Sequence, residues 1–392
     1  MYVLSPTITS SFAEALAAAR EGYVTPETAS VLIRARDGEE YDSLLSAAAQ
    51  LRDELKGRRI TYSKKVFIPL TNLCRDYCGY CTFRKDPDQP GAHTMTPDEV
   101  IHVAEAGARL GCKEALFSLG DRPEAIFPQM RERLARLGHR TTLGYLTEMC
   151  ERVLNETGLL PHANPGLMGR KDLERLREFN ASMGLMLETT SERLTETGMP
   201  HDNAPDKRPA LRLKTIEEAG RLRIPFTTGI LIGIGETLDE RLDALFAICQ
   251  LQDRYGHIQE VIVQNFRAKP DIPMRLHKEP SLSDHARTLA MARLILRDMN
   301  VQAPPNLSDE KYPSLLRAGL NDWGGISPLT IDFINPEKPW PHIAQLAERT
   351  AEEGYELTER LSVYPEYVHR DEFLDTRLAP RVRAMADDRG FA

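Results

Sequence analysis

Residues 66–83 of the chain have the sequence Val-Phe-Ile-Pro-Leu-Thr-Asn-Leu-Cys-Arg-Asp-Tyr-Cys-Gly-Tyr-Cys-Thr-Phe. An apolar run leads directly into Cys74, Cys78 and Cys81, whose spacing is Cys-x3-Cys-x2-Cys. A structural zinc site uses four protein ligands, whereas three thiolates on one loop suit a cubane iron–sulfur cluster that keeps one iron free of protein. A free iron is a place for chemistry, so the spacing favours an enzyme. A zinc knuckle or a set of buried thiols is the alternative interpretation.

Downstream of this stretch, short apolar runs alternate with amphipathic stretches. The predicted strands are 66–70, 114–119, 159–162, 183–188, 226–232, 260–265, 301–303 and 325–329. The predicted helices between them are 97–110, 146–156, 171–179, 211–222, 238–252, 283–298 and 314–319. Strand–helix alternation predicts a parallel sheet. The number of units favours a (βα)8 barrel of the TIM type over an open doubly wound sheet, and it places the cysteine loop at a strand carboxyl end, where barrels carry their chemistry.

Two regions flank the predicted barrel. Residues 11–20 and 41–55 have helical spacing and many strong helix formers, which predicts an N-terminal helical cap. At the other end, a helix is predicted at 343–361, outside the barrel and followed by a polar tail. The predicted division is therefore residues 1–60 for the helical extension, 61–345 for the barrel, and 346–392 for the C-terminal helix and tail.

Composition excludes several classes of protein. The 392 residues carry a net charge of −8 without a basic run, which argues against a nucleic-acid partner. No apolar stretch approaches the roughly 20 residues of a membrane span, and the first six residues lack the basic and apolar regions of a signal peptide. Besides the cysteine loop, Cys112, Cys150 and Cys249 are scattered in apolar or helical context and are expected to be small buried residues. We therefore expect a cytoplasmic protein that does not act on nucleic acid or membranes.

Three further segments place glycines or charged residues at the ends of predicted strands. Gly120 and Asp121 follow the second strand, where glycine admits a close backbone approach and a carboxylate can pair with an ammonium group. Glu188 ends the fourth strand, and Arg193 soon after it has the geometry to clamp a carboxylate. Gly233 lies in a glycine-rich end of the fifth strand. The ordinary alternatives are an acidic turn, a helix N-terminal capping box and a generic strand end.

A second group of polar residues is expected to hold substrate. His162 and Asn164 end the third predicted strand, and Asn321 and Asp322 lead into the eighth. In a barrel we expect these positions on loops at the carboxyl ends of the strands, so all four are candidate catalytic residues. The unperturbed pKa of histidine, ~6.5, would also let His162 move a proton. The alternatives are a structural histidine and an Asn/Asp-capped turn.

The cysteine loop resembles a known motif. With Tyr80 directly before the last cysteine, Cys-x3-Cys-x-aromatic-Cys resembles the cluster motif of the radical S-adenosylmethionine (SAM) enzymes. The resemblance implies that Cys74, Cys78 and Cys81 each ligate one iron of a [4Fe–4S] cluster, whose open iron chelates the amino and carboxylate groups of SAM. One electron from the cluster then cleaves SAM into methionine and a 5′-deoxyadenosyl radical, which abstracts a hydrogen atom from substrate.

The same resemblance assigns SAM contacts to the strand ends. Gly120 and Asp121 take the place of a Gly-Gly-Glu-type segment that holds the SAM amino group, although only one glycine of the pair is present. Glu188 is implied to contact the ribose, Arg193 the carboxylate, and Gly233 the adenine. The full implied cofactor-binding set is Tyr80, Gly120, Asp121, Glu188, Arg193 and Gly233.

Longer stretches narrow the resemblance to one branch of these enzymes. They are residues 114–124, Glu-Ala-Leu-Phe-Ser-Leu-Gly-Asp-Arg-Pro-Glu; residues 158–166, Gly-Leu-Leu-Pro-His-Ala-Asn-Pro-Gly; and residues 319–328, Gly-Leu-Asn-Asp-Trp-Gly-Gly-Ile-Ser-Pro. Together with the cluster loop they are similar to the synthases of 7,8-didemethyl-8-hydroxy-5-deazariboflavin (FO), in the subunit that closes the deazaflavin ring. The similarity extends from about residue 60 to residue 345.

This resemblance implies a reaction and its partners. A sister radical SAM subunit joins a tyrosine-derived 4-hydroxybenzyl group to 5-amino-6-(ribitylamino)uracil. The present chain, with one cysteine triad, resembles the separate subunit that converts this adduct, 5-amino-5-(4-hydroxybenzyl)-6-(D-ribitylimino)-5,6-dihydrouracil, to FO with loss of ammonia. The radical takes a benzylic hydrogen, and a reductant protein supplies one electron.

The alternatives come from two classes. Within the radical SAM enzymes they are the sister adduct-forming synthase, which uses tyrosine, and an enzyme of menaquinone synthesis. Outside them stands a zinc or iron–sulfur electron-transfer protein without enzymatic activity.

Overall fold

The computed structural model describes residues 11–392. The first ten residues, on which the expected lack of a signal peptide rests, lie outside the described residues. The strands are β1 Arg59–Pro69, β2 Glu114–Ser118, β3 Leu160–Asn164, β4 Ser182–Gly184, β5 Phe226–Ile232, β6 Ile258–Asn265, β7 Asn300–Gln302, β8 Asp322–Ile326 and β9 Glu356–Glu359.

Thirteen α-helices accompany these strands in the described part of the chain. They are α1 Phe12–Arg20, α2 Pro26–Leu32, α3 Glu39–Lys56, α4 Pro97–Arg109, α5 Pro128–Arg136, α6 Thr142–Thr157, α7 Arg170–Arg177, α8 Pro209–Arg221, α9 Leu238–Tyr255, α10 Leu282–Leu296, α11 Ile343–Glu352, α12 Pro365–Val368 and α13 Ala379–Met385. Short 3-10 helices lie at Pro123–Ala125, Glu192–Thr195, Pro205–Lys207 and Pro305–Ala318. Among residues 11–392, none of the helices has the length and apolar character needed to cross a membrane.

The first eight strands close into a barrel. They pair in parallel in chain order, and β1 pairs with both β2 and β8, which closes the ring. Short apolar strands such as β5, in which every residue is buried, are typical of a parallel sheet covered by helices. The predicted (βα)8 barrel is therefore confirmed.

The N-terminal helices pack on the outside of this barrel. The helices α1 and α2 begin at capping boxes, and α3 packs against α10. Arg52 on α3 is fully buried, and its guanidinium donates hydrogen bonds to the carbonyls of Leu316 and Leu320 at 3.0 and 2.6 Å. These bonds tie the predicted helical cap to the segment before β8. The division of the chain at residues 60 and 345 stays a prediction.

The C-terminal region differs from the prediction of one long helix and a polar tail. The helix α11 ends at Glu352, and Gly354 with φ +84° turns the chain into β9, which pairs in parallel with the start of β1. The following C-terminal strap, residues 360–364, crosses the amino-terminal end of the barrel, where Ser362 bonds the first residue of β4 and Arg360 the first residue of β8. Residues beyond it form a second apolar cluster rather than a tail.

The eighth strand begins earlier than predicted, at Asp322 rather than residue 325. The sequence predicted Gly324 in the segment that leads into the strand and Gly325 as its first residue, but both lie inside β8. A Cβ at Gly324 would come within 1.9 Å of Gln302 Nε2, and one at Gly325 within 2.2 Å of Lys65 Cε. The two glycines therefore make room for side chains inside the barrel. The predicted helix at 314–319 is likewise part of a 3-10 segment, Pro305–Ala318, that contains Pro313.

Candidate active site

The cysteine loop lies at the carboxyl end of the barrel and lines a cavity of about 260 Å³, the upper chamber. Cys74, Cys78 and Cys81 all contribute to its wall. In the described part of the chain they have no disulfide partners. The Cys74 sulfur accepts hydrogen bonds from the backbone N–H groups of Asp76 and Asp121, at 3.4 and 3.1 Å. Burial raises the pKa of the Cys74 thiol to about 12, and these two donors offset part of that rise because they favour the thiolate, the form that ligates a metal.

The turn after β2 packs directly against the cysteine loop. A Cβ at Gly120 would lie 2.0 Å from the carbonyl oxygen of Leu73 and 2.6 Å from the Cβ of Cys74. The backbone N–H of Gly120 donates to the carbonyl of Thr71 at 2.8 Å. Glycine is therefore required here for the close approach of the two segments, and Gly120 lines the upper chamber as predicted.

Asp121 lies on the same wall as one of three neighbouring carboxylates. One oxygen accepts from the backbone N–H of Leu167 at 2.9 Å. Carboxylate oxygens of Asp121, Asp76 and Asp206 lie within 4.8 Å of one another. Burial, together with Asp206, raises the pKa of Asp121 to about 7. Arg122 offsets part of this repulsion by ion pairs to Asp121, at 3.3 Å, and to Asp206.

Glu188 faces the upper chamber with two cations that the sequence did not indicate. Lys207 Nζ lies 2.5 Å and an Arg212 nitrogen 4.0 Å from a Glu188 carboxylate oxygen, and all three residues line the chamber. Burial alone would favour the neutral acid, but Lys207 and Arg212 lower the pKa of Glu188, so it is ionised. Lys207 and Arg212 follow no predicted strand and belong to no motif, so only the fold brings them here.

Tyr80 reaches the same chamber, and its hydroxyl lies 3.0 Å from His201 Nε2. Burial, and after it the charge of Lys207, lowers the pKa of His201 to about 3, so the imidazole is neutral at physiological pH. The aromatic residue of the motif is thus held by a second ring.

Two of the implied SAM contacts do not join this group. Arg193 pairs with Glu240 on α9 at 2.8 Å, and it donates to the carbonyl of Gly235 at 2.8 Å. Gly233 donates its N–H to Glu236 at 2.7 Å. Neither Arg193 nor Gly233 lines the upper chamber. The residue of β5 that lines it is Leu231. A SAM contact by either residue stays a prediction.

A lower chamber of about 200 Å³ continues from the upper one into the barrel. Residues that line both are Ser118, Asn164, Met186, Gln264, Ile334 and Asn335. Since Asn164 is the last residue of β3 and lines both chambers, the structure puts it where the sequence predicted it. The two chambers together form one continuous site at the carboxyl end and interior of the barrel.

Paired charges line one side of the lower chamber. Lys65 Nζ lies 2.8 Å from Glu114, and Glu260 accepts from Arg360 at 3.0 Å and from Tyr364 at 2.9 Å. All the charged groups named here are buried. A buried charge is costly without a partner, and here each has an oppositely charged neighbour. The lining also has an apolar part, where Phe67, two residues after Lys65 on β1, stacks on Trp340 with ring centroids 5.1 Å apart.

His162 lines this lower chamber and is 5% exposed. Burial lowers the pKa of its imidazole to about 4. This value lies below the unperturbed pKa on which the expected proton transfer rested, and a role of His162 in moving a proton stays a prediction. The sequence predicted His162 on a loop at the carboxyl end of the third strand, but in the structure it lies in the middle of β3, and Asn164 is the residue that ends the strand.

The placement of Asn321 and Asp322 at the carboxyl end is wrong. Asp322 is the first residue of β8, and both its oxygens accept from Arg360, at 2.7 and 3.0 Å. Asn321 accepts from Arg293 at 2.6 Å and from the backbone of Val301 at 2.9 Å. The structure thus uses both side chains in buried bonds at the amino-terminal end of the barrel. A role in holding substrate stays untested.

Comparison with known proteins identifies the family. The model of the radical SAM superfamily matches residues 68–248. The 7,8-didemethyl-8-hydroxy-5-deazariboflavin synthase of Methanopyrus kandleri is 50% identical over 333 residues, which cover 85% of this chain and 99% of that protein. The chain belongs to the deazariboflavin synthase family of radical SAM enzymes. The FO synthase of Streptomyces avermitilis is 53% identical over 390 residues, which cover 96% of this chain. The chain spans about half of that longer relative, 45% of its length.

Solved structures agree with this family in fold. The FeFe-hydrogenase maturase HydG from Carboxydothermus hydrogenoformans superposes with a TM-score of 0.72 at 20% identity, over 95% of this chain and 89% of that one. Methylornithine synthase (PylB) gives a TM-score of 0.68 at 20% identity, over 88% and 97% of the two chains. At this identity the similarity concerns the barrel alone.

A deazariboflavin synthase of this superfamily uses a [4Fe–4S] cluster and SAM, and the upper chamber fits both. Three thiols share one wall, with backbone donors on the sulfur of Cys74. The same cavity offers the carboxylate of Glu188 and the cations of Lys207 and Arg212, which suit the ammonium and carboxylate of an amino acid. Which of these atoms SAM touches stays a prediction.

Proposed function

We propose that this chain closes the deazaflavin ring. It converts 5-amino-5-(4-hydroxybenzyl)-6-(D-ribitylimino)-5,6-dihydrouracil to FO with loss of ammonia. The observation that carries the proposal is the 50% identity over 99% of the Methanopyrus protein, whose name states this product. Because ammonia leaves in the reaction, we assign the enzyme to the carbon–nitrogen lyases.

The proposal divides the work between the two chambers. When bound, the cluster and SAM supply a 5′-deoxyadenosyl radical that removes a benzylic hydrogen atom from the adduct. Cys74, Cys78 and Cys81 hold the cluster, and Glu188 and Lys207 bind SAM in the upper chamber. The lower chamber holds the adduct inside the barrel, where the buried ion pairs Lys65–Glu114 and Arg360–Glu260 form part of its wall.

The lining of the lower chamber suits the two parts of the adduct. The phenol ring packs against the aromatic pair Phe67 and Trp340. The uracil and the ribityl chain, which carry many donors and acceptors, contact the polar residues His162 and Glu114. Asn164 lines the junction of the chambers, so it is suited to orient the part of the adduct that reacts.

The partners of the chain follow from the same proposal. A sister radical SAM subunit supplies the adduct from tyrosine and 5-amino-6-(ribitylamino)uracil, and a reductant protein supplies single electrons. The chain spans 45% of the Streptomyces FO synthase. The cytoplasm, where thiols stay reduced, is the proposed location.

An isotope experiment tests the reaction. The enzyme is incubated anaerobically with SAM, a chemical reductant and adduct that carries deuterium at the benzylic carbon. We expect deuterium in 5′-deoxyadenosine and fluorescent FO as the product, because a benzylic radical is delocalised into the phenol and adjoins the carbon that forms the new bond. Tyrosine and the diaminouracil without the sister subunit should give no FO.

Each alternative predicts a different outcome of this experiment. Transfer of deuterium from labelled tyrosine would identify the chain as the adduct-forming sister. If neither the adduct nor tyrosine supports SAM cleavage, but an aromatic precursor of menaquinone does, the chain would be an enzyme of menaquinone synthesis. A preparation that contains zinc without iron and sulfide, and does not cleave SAM, would indicate a protein without this chemistry.

A further inference from the structure

A chain of hydrogen bonds links the C-terminal strap to His162. The carbonyl oxygen of Ser362 accepts from the hydroxyl of Ser182 at 2.6 Å, and from the amide of Gln259 at 3.1 Å. The Ser182 oxygen lies 2.7 Å from Nδ1 of His162. All three residues at the core of this relay, His162, Ser182 and Ser362, are buried.

The direction of these bonds decides where the proton of the imidazole lies. A carbonyl can only accept, so the Ser182 hydroxyl proton points to Ser362. The Ser182 oxygen then has only lone pairs left for His162, and Nδ1 must be the donor. His162 therefore carries its proton on Nδ1, which leaves the lone pair on Nε2.

The free nitrogen faces an open position inside the barrel. Within residues 11–392, the structure gives Nε2 of His162 no hydrogen-bond partner. On the neighbouring strand β4, a Cβ at Gly184 would lie 3.0 Å from this nitrogen, so glycine leaves room beside it. Glu114, Lys65 and Arg360 are the charged groups whose fields reach the ring, and the first two are already paired with each other.

Two other buried histidines have the opposite arrangement. Nε2 of His257 lies 2.9 Å from the carbonyl of Ile216, and Nε2 of His285 lies 2.8 Å from the carbonyl of Val263. Their protons are therefore on Nε2, in contact with backbone that can only accept. His162 thus differs in tautomer from two histidines that have only structural partners, and it lines a cavity.

We propose that Ser182 and the backbone carbonyl of Ser362 are positioning groups that hold His162 in its Nδ1–H tautomer, so that Nε2 accepts a hydrogen bond from an O–H or N–H group of the substrate. The substrate's identity rests on the proposed function, in which the adduct offers ribityl hydroxyls, uracil N–H groups and a phenol. The strap thereby controls the proton of a residue in the lower chamber, although Ser362 is far from β3 in the sequence.

The tautomer can be measured directly and without turnover. The full-length enzyme, labelled with ¹⁵N-histidine and reconstituted with its cluster in the oxidised state, is studied by NMR. His162 should show a protonated Nδ1 and an unprotonated Nε2, whereas His257 and His285 should show the reverse. Assignment uses His162→Gln, which removes one set of signals. A wild-type His162 with its proton on Nε2 would overturn the proposal even if FO synthesis is confirmed.

Two variants separate the relay from the substrate contact. Ser182→Ala should leave a mixture of His162 tautomers and weaken adduct binding by about three- to tenfold, the effect of one neutral hydrogen bond. Gly184→Ala should keep the Nδ1–H tautomer but weaken adduct binding at least as much, because its methyl group would crowd Nε2. SAM affinity and the uncoupled cleavage of SAM should stay unchanged in both, since these residues do not line the upper chamber.

Affinity measurements with two compounds show which part of the substrate His162 contacts. Weaker binding of 5-amino-6-(D-ribitylamino)uracil, which lacks the phenol, would place the donor on the ribityl–uracil part. A loss confined to the adduct would place the donor on the phenol. Unchanged affinity for both compounds in Ser182→Ala and Gly184→Ala would overturn the substrate contact, and an unchanged tautomer in Ser182→Ala would overturn the role of the relay.

Discussion

Replacement of Arg360 by methionine tests whether the floor of the barrel depends on one buried cation. The guanidinium donates to both oxygens of Asp322, at 2.7 and 3.0 Å, and to Glu260 at 3.0 Å. The side chains of Arg360, Asp322 and Glu260 are 2%, 0% and 6% exposed. Methionine keeps much of the volume but leaves two carboxylates buried without their cation.

The expected loss of stability follows from these contacts. Removal of one partner from a buried ion pair costs about 3–5 kcal/mol. Glu260 keeps bonds from Thr227 and Tyr364, both at 2.9 Å, and Asp322 keeps bonds from the Thr61 hydroxyl and the Gly324 N–H, so the cost arises mainly because two buried charges lose their cation. We therefore expect Arg360→Met to lower the free energy of unfolding by about 4 kcal/mol.

The structure also predicts how the stability loss in Arg360→Met changes with pH. Burial raises the pKa of Glu260 even beside Arg360, and loss of Arg360 should raise it further. A carboxyl group whose pKa is higher in the folded than in the unfolded state destabilises the fold above the unfolded pKa, and this penalty fades as pH falls. The difference between wild type and Arg360→Met should therefore be larger at pH 8 than at pH 5.

Urea unfolding followed by circular dichroism measures these differences. Arg34→Met is the matched control, because Arg34 pairs with Asp239 at 2.6 Å but the two side chains are 45% and 53% exposed. Its expected cost is about 0–1 kcal/mol. Addition of Asp322→Asn to Arg360→Met should restore part of the stability, since it removes the uncompensated charge. If Arg360→Met costs no more than Arg34→Met at pH 8, the assignment of Arg360 as the essential counter-ion is refuted.

Four further predictions concern the cofactor site and the core. Cys78→Ala should lose iron and the ability to cleave SAM, while Cys150→Ser keeps both in iron analysis and a cleavage assay; full activity of the first variant would contradict the cluster assignment. Glu188→Gln should weaken SAM binding by about one to two decades, as for a hydrogen bond to a charged group; calorimetry that shows unchanged affinity would remove Glu188 from the SAM site. Gly120→Ala should reduce iron content, because its methyl group would collide with the cysteine loop at 2.0 Å; normal iron loading would show that the loop can move. Burial lowers the pKa of His257 to about 4, so between pH 6.5 and pH 5 this residue should remove about 1.5 kcal/mol of stability as the unfolded chain takes up the proton; unfolding of His257→Gln should lose that part of the pH dependence, and an unaltered pH profile would argue against it.

Local sequence was sufficient for the features that depend on neighbouring residues. Strand–helix alternation predicted the parallel barrel, and the run of residues 226–232 predicted β5 with its observed bounds. The carboxyl ends of parallel strands meet at one end of a barrel, so residues that follow successive strands meet there as well. For this reason Cys74, Gly120 and Glu188 could be placed on one cavity from the sequence, as the structure shows.

Side-chain partners that are distant in sequence required the tertiary structure. Arg193 has the expected position after β4, but the position of α9 offers it Glu240, and Lys207 and Arg212 supply the cations of the chamber instead. The glycines of β8 resemble a turn until the side chains of Gln302 and Lys65 are present beside them.

The C-terminal strap shows most clearly that contacts between residues distant in sequence could not be predicted. Its local sequence carries no signal for a contact with the barrel, yet Arg360 neutralises Asp322 and Ser362 orients Ser182. A hydrogen bond or an ion pair depends on distances of a few tenths of an ångström between atoms. The sequence alone determined the order of the elements and the end of the barrel that carries the cysteines. Only the packed chain decided which charges are paired and which groups lie beside the imidazole of His162.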